Sequence, residues 1–164
     1  MLDLACLPSS PQSLSQTLKR RLFWIVAHTC FTLYRWFPIF GSLRASIAII
    51  YREGKFLVIH RNDGRGLGLP GGINGWREDE EVALRREVLE ETGLSIETAK
   101  VEMRYYSNAD VPCNIAVFRA EANGELRDSW EGSPRWMALE ELEPRMLESQ
   151  RAVLGVMQRI VGKM

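Results

Sequence analysis

Gly72-Ile73-Asn74-Gly75-Trp76-Arg77-Glu78-Asp79-Glu80-Glu81-Val82-Ala83-Leu84-Arg85-Arg86-Glu87-Val88-Leu89-Glu90-Glu91-Thr92-Gly93-Leu94 is the stretch from which the rest of the chain is read. Glu80 to Thr92 has the composition of a helix, and Gly93 is the residue type that most readily takes a left-handed C-terminal cap. At about 3.6 residues per turn, Glu87, Glu90 and Glu91 fall together on one face. Val82, Leu84, Val88 and Leu89 lie around the other side, so the pattern predicts a carboxylate face opposite a packing face. Like charges at neighbouring helical positions cost roughly 0.2–0.5 kcal/mol per pair. A cation relieves that repulsion, and clustered oxygen ligands suit magnesium, manganese or calcium better than zinc. The same spacing also describes a solvated acidic surface helix, which is common.

Outward from this helix the pattern shortens to strands. Residues 46–51 and 56–59 are apolar runs around Glu53-Gly54-Lys55, a hairpin signal. A glycine-rich loop over 63–72 follows, of the composition that lets backbone approach a ligand closely. Residues 101–106, 115–119 and 134–138 read as strands. Residues 147–161 read as a closing amphipathic helix, with Leu147, Val153, Leu154, Met157 and Ile160 available for burial. Strands interleaved with helices predict an α/β or α+β sandwich in one domain.

The N-terminal part is different. Residues 22–40 are mostly apolar and follow Lys19, Arg20 and Arg21. His28, Arg35 and Pro38 fit a membrane-spanning helix poorly. The late basic cluster and the lack of a small-residue cleavage site fit a signal peptide poorly. The reading is an apolar helix over about 17–36, ending before Pro38 and Gly41. Its apolar residues cover more than one stripe, so it packs on the domain, on a partner subunit or flat on a membrane surface. Residues 1–40 are therefore an N-terminal helical extension and 41–164 the main domain. Residues 1–16, with Pro8, Ser9, Ser10 and Pro11, read as mobile.

Composition bounds the function. The 164 residues include 21 basic and 21 acidic side chains, with 46% hydrophobic and 26% charged residues. That excludes a disordered chain, a collagen-like chain and a multi-span membrane protein. Zero net charge argues against a general nucleic-acid binder. Cys6, Cys30 and Cys113 show no metal-type or paired spacing and read as reduced thiols of a cytoplasmic protein. His28 and His60 read as structural. The zero is a sum of unlike parts: residues 1–71 carry nine basic and three acidic side chains, residues 72–94 three basic and seven acidic.

The opening stretch resembles the Nudix box, with Gly72, Glu78, Arg86, Glu87, Val88, Glu90, Glu91, Gly93 and Leu94 at all its defined positions. Weaker similarity extends over about residues 43–160, through Leu69-Pro70-Gly71-Gly72 upstream and Arg135-Trp136-Met137 with Glu141-Leu142 downstream. The resemblance implies an α/β/α sandwich around a mixed β-sheet. It implies an Mg2+-dependent hydrolase, with Mn2+ a possible substitute, that cleaves the diphosphate of a nucleoside diphosphate linked to another moiety, or of a related nucleotide. It implies Glu87, Glu90 and Glu91 as metal ligands, joined by a carbonyl of Gly71 or Gly72. It gives Arg86 the task of orienting the glutamates, with Glu78 in the same network. The general base stays open among Glu87, Glu90 and the loop residue Glu131.

For substrate, Arg61 and Arg65 are placed to reach phosphate oxygens. Trp76, Trp130, Tyr105 and Tyr106 are candidates to stack on a base, and Asn114 to read a base edge. Markers of the coenzyme A, ADP-ribose and diadenosine polyphosphate subfamilies are absent or displaced. Two alternatives stand beside the hydrolase: a non-catalytic Nudix-fold binding module, and a membrane-associated hydrolase of a lipid-linked diphosphate. Binding modules usually lose box glutamates, and this chain keeps them. The expected partner is a small nucleotide-type molecule, without specific nucleic acid. Residues 17–40 would serve a homodimer or a membrane surface, placing the protein in the cytoplasm or peripherally at the inner membrane face.

Overall fold

Four consecutive residues, Ile47 to Ile50, are each 3% exposed or less, as a strand buried on both faces requires. They belong to β1 (Leu43–Arg52), the centre of a mixed sheet. The computed structural model describes residues 42–162 and Thr29. The helix expected over about 17–36, apart from Thr29, lies outside the described residues, as do the segment 1–16, His28, Cys6 and Cys30. Residue contacts divide the chain into Met1–Phe37 and Pro38–Met164, and the second unit holds everything that follows.

β1 runs parallel to β6 (Cys113–Asn123), with Ile47 opposite Val117. Its other edge pairs antiparallel with β4 (Gly71–Ile73) and, at the hairpin end, with β2 (Lys55–Arg61). β2 also carries β3 (Leu67–Gly68) and β7 (Gly132–Met137). β5 (Ser95–Ser107) lies antiparallel to β6. The expected strands all form, and β1, β2, β5 and β6 run longer than their apolar cores. The glycine loop over 63–72 is less of a loop than expected, because β3 and the start of β4 are cut from it. Gly71 makes this possible. At φ 134°, a Cβ there would stand 2.2 Å from the Ser46 carbonyl oxygen, so only glycine lets the strands meet.

Helix α1 (Glu80–Thr92) has the expected bounds. The Asp79 side chain accepts from the N–H groups of Glu81 at 2.9 Å and Val82 at 3.3 Å, satisfying donors that a helix start leaves free. Gly93, at φ 79°, donates its N–H to the Leu89 carbonyl at 2.9 Å. Leu84 and Val88 join Ala48, Ile50, Leu57, Leu94, Ala116 and Phe118 in one core cluster.

The faces of α1 are not those expected. Val82 is 56% exposed and Leu89 47%, whereas Glu91 is 4% exposed and Thr92 fully buried. Leu84, Val88 and Glu91 follow one another down a single row, so a carboxylate shares the packing face instead of opposing it. Thr92 tolerates burial because its hydroxyl donates to the Val88 carbonyl at 2.6 Å and accepts from the Leu94 N–H at 3.0 Å.

The expected closing helix over 147–161 is also broken. A short α2 (Leu139–Leu142) leads through 3-10 turns at Glu143–Arg145 and Glu148–Val153 to α3 (Leu154–Val161). The 3-10 stretch is pinned from the sheet side. The Gln150 amide oxygen accepts from the Leu69 N–H, the Tyr105 hydroxyl donates to the Ser149 carbonyl and the Ser149 hydroxyl donates to Asp110, all at 2.7 Å. Leu147, Val153, Met157 and Ile160 are buried as expected, while Leu154 is only partly so. Cys113 is buried, and burial pushes its thiol up to about 11, the character of an inert thiol.

Gly71→Ala is expected to destabilise the fold by at least about 2 kcal/mol, combining forbidden φ with a backbone clash. Gly54→Ala, at positive φ but in open space, is expected to cost only about 1 kcal/mol. Urea unfolding of both variants checks the difference.

Candidate active site

The loop between β4 and α1 is closed by one guanidinium. Arg86 donates from Nε to Glu78 Oε1 at 3.0 Å and from Nη2 to Glu78 Oε2 at 2.9 Å, a bidentate pair. Its Nη1 donates to Glu87 Oε1 at 2.7 Å and stands 3.7 Å from Glu90 Oε2. Glu78 Oε2 also accepts from the Gly75 N–H at 2.6 Å. The Arg86 hydrogen bonds, then the Gly75 bond, pull the Glu78 carboxyl down to about 2. The expected network of Glu78, Arg86, Glu87 and Glu90 is thus assembled, with Arg86 at its centre.

Glu87 and Glu91 differ from ordinary surface carboxylates. Burial pushes the Glu87 carboxyl up, Arg86 pulls against it, and the charges of Glu131 and Glu90 add to the rise. Burial pushes Glu91 up to about 8; the Gly71 N–H opposes, donating to Oε2 at 2.8 Å, while the charges of Glu131 and Glu87 reinforce. Gly72 lies directly against Glu87, since a Cβ on it would meet the carboxylate at 2.6 Å.

Glu131 arrives from the other end of the domain. It sits on the turn before β7, where its carbonyl accepts from the Asn62 N–H at 2.8 Å and the Asn62 side chain donates to the Trp130 carbonyl at 3.0 Å. That ties the turn to the end of β2, beside Arg61. Burial works against the Arg61 charge, but the Asp63 hydrogen bonds and the charges of Asp63, Glu131 and Glu91 outweigh it. Arg61 reaches Asp63 Oδ2 from Nη2 at 2.7 Å and from Nε at 3.0 Å. Arg65 binds the same carboxylate from Nε at 2.9 Å and reaches Asp110 at 3.3 Å.

Other expected substrate residues are not gathered here. Trp76 is 84% exposed on the loop before α1. Asn114 donates to the Ser42 hydroxyl at 2.8 Å. Tyr105 is committed to Ser149, and Tyr106 is exposed. Trp130 stands half exposed beside Glu131. Sequence reasoning missed Asp63, whose only signal was its place two residues after Arg61 and two before Arg65. It also missed the Gly71 N–H; a carbonyl was expected to matter there.

The donor chemistry fits a hard divalent cation. The buried Glu91 and the partly buried Glu87 share a site with a third negative charge, and of the two Arg86 pairs only with Glu87. Among the described residues, no three His, Cys, Asp or Glu side chains stand close enough together, as they lie, to hold an ion. Glu87 is drawn to Arg86, Glu91 to Gly71, and the Glu90 side chain is 62% exposed.

The NUDIX domain model matches residues 42–155. A MutT-like protein of Streptomyces ambofaciens is 30% identical over 113 residues, covering 68% of this chain and 73% of its own. An oxidized purine nucleoside triphosphate hydrolase of Danio rerio is 27% identical over 112 residues, covering 63% and 71%. The crystal structure of a MutT NUDIX hydrolase from Burkholderia pseudomallei superposes with a TM-score of 0.63 at 27% identity, covering 70% of this chain and 97% of that one.

Two predictions concern stability. Glu91→Gln keeps an acceptor for the Gly71 N–H and removes a buried charge, so the metal-free protein is expected to melt at least about 2 °C higher at pH 8. Calorimetry in chelator checks this. Burial raises the Asp63 carboxyl, but the hydrogen bonds and charge of Arg61, with the bonds from Arg65, reverse this and hold it well below the usual carboxylate range. A depressed acid stabilises the fold above its unfolded pKa of about 4 and loses that contribution as pH falls through the folded value. The Tm advantage of the wild type over Asp63→Asn is therefore expected in full at pH 6 and to shrink steadily as pH falls below about 4.

Proposed function

The chain belongs to the Nudix family, and from that premise we propose that it is a divalent-metal-dependent hydrolase of a nucleotide-type diphosphate. The substrate class is a nucleoside diphosphate linked to another moiety, or a related nucleotide such as a nucleoside triphosphate. The observation that carries the reading is the convergence of Glu87 and Glu91 of α1, Glu131 of the turn before β7 and Arg61 of β2, brought together from three separate segments. Buried like charges are costly, and this arrangement offsets the cost only when a cation binds.

Glu87, Glu90 and Glu91 would hold the ion, with magnesium as the working metal. When bound there, a divalent ion would supply charge neutralisation for a diphosphate as its bond breaks. The protein's own groups supply positioning. Arg86 holds Glu87 at a fixed angle, and Glu78 anchors Arg86 to the loop. Asp63 holds the Arg61 guanidinium oriented, so it meets a phosphate oxygen without losing side-chain freedom at that moment. Glu131 takes the proton from the attacking water, since Glu87 and Glu91 are committed to the metal side. Trp130, on the same turn, offers a stacking surface for a base.

The non-catalytic binding module is the weaker reading, because every box glutamate is present and Glu87 and Glu91 stand in costly burial. Among the described residues, no helix is long and apolar enough to cross a membrane. The residues on which dimer or membrane contact is expected, 17–40, lie outside the described ones apart from Thr29. A cytoplasmic setting belongs to the same proposal.

A panel of nucleoside triphosphates and nucleoside diphosphate derivatives, followed by phosphate and pyrophosphate release with and without Mg2+, tests it. Metal-dependent turnover of at least one is expected, and silence across the panel overturns the proposal. Glu91→Gln is expected to lower kcat at least about a hundredfold at saturating metal. Glu131→Gln is expected to lower kcat about 10- to 100-fold with little change in KM.

A further inference from the structure

Two polar side chains are buried beneath α1 with no hydrogen-bond partner among the described residues. Ser46 is fully buried and its hydroxyl makes no hydrogen bond; Asn74 is 9% exposed and neither end of its amide makes one. Buried polar groups are nearly always satisfied, so three orphaned atoms in one place require a cause.

The sheet register shows what they flank. Ser46 lies opposite Gly72 across the β1–β4 pair, and directly opposed residues project to the same side. Asn74 is two residues beyond Gly72, so it shares that side. Its N–H donates to the Arg44 carbonyl at 2.8 Å, continuing the pairing. Between them Gly72 has no side chain, and the Glu87 carboxylate occupies its place, within 2.9 Å of where a Cβ would be. Ser46 and Asn74 therefore form the floor on either side of Glu87.

The inference rests on the reading of Glu87 as a metal-holding carboxylate. We propose that Ser46 and Asn74 are positioning residues that share one buried water with Glu87 and so fix its carboxylate from beneath. A buried water makes about three hydrogen bonds, enough for the Ser46 hydroxyl, one end of the Asn74 amide and the Glu87 carboxylate. Arg86 holds Glu87 from one side, and the water supports the other. Partners of ligating carboxylates typically change metal affinity about 10- to 100-fold when removed.

Three measurements on the full chain test this. A high-resolution crystal structure is expected to show a water within hydrogen-bond distance of Ser46, Asn74 and Glu87; a dry floor overturns the proposal. Asn74→Val and Ser46→Ala are each expected to weaken Mn2+ binding at least about tenfold, read from the free-ion electron paramagnetic resonance signal, and to lower kcat more than they alter KM. Asn74→Thr, which keeps a hydroxyl in the shape of valine, is expected to recover part of the affinity. Unchanged Mn2+ affinity in both Asn74→Val and Ser46→Ala overturns the proposal, and so does failure of the wild type to bind Mn2+. Should Asn74→Val not fold, Ser46→Ala decides alone. If the wild type binds Mn2+ but hydrolyses nothing, while the variants bind it more weakly, the activity reading fails and the positioning role stands.

Discussion

A carboxylate placed in the wrong medium governs this molecule. Glu91 lies in the row of α1 that also buries Leu84 and Val88, and its described hydrogen bond is the one from the Gly71 N–H. For that bond to exist, Gly71 must take a φ of 134° against the Ser46 backbone, α1 must stop at Gly93, and β4 must be cut from the glycine loop. The helix, the loop and the sheet edge are thereby fixed relative to one another by a group that costs stability. A protein that only needed to fold would place leucine there.

The surrounding charges divide into two kinds. Glu78 and Asp63 are held down by guanidinium groups and remain charged across the physiological range. Glu87 and Glu91 are pushed up by burial and by the charge of Glu131. The first pair fixes the arginines, and the second pair is left under-neutralised. Environments that push carboxyl groups apart in this way mark the division between scaffold and chemistry.

Much of this was legible in the sequence. The spacing from Gly72 to Leu94 indicates the helix, its glycine cap and the resemblance to the family, and that resemblance in turn implies the clamp from Arg86. It did not show which face of α1 packs, because apolar residues were read as the buried ones. In fact Val82 and Leu89 face outward, since the helix approaches the sheet through its small residue Ala83 and through Leu84, Val88 and Glu91. Nor did it reveal Asp63 as the carboxylate between Arg61 and Arg65, which depends on the exact turn of the loop. Glu131 was a candidate by position alone; the pairing of β2 with β7 brings its turn to Arg61. The broken C-terminal helix was hidden for a similar reason, because Gln150 and Ser149 answer to Leu69, Tyr105 and Asp110, all remote in sequence.

The Asp63 fork reaches further than the loop that carries it. Arg65 binds both Asp63 and Asp110, and Asp110 accepts from Ser149 in the C-terminal stretch. Arg61 is therefore joined by a relay of polar contacts to a segment that carries none of the box residues. Sequence drift along this relay is coupled. A change at Asp110 or Ser149, innocuous by its distance from the glutamates, alters how stiffly the Arg61 guanidinium is presented. Chains with identical boxes can thus differ in how firmly this guanidinium is held, through residues remote from the glutamates.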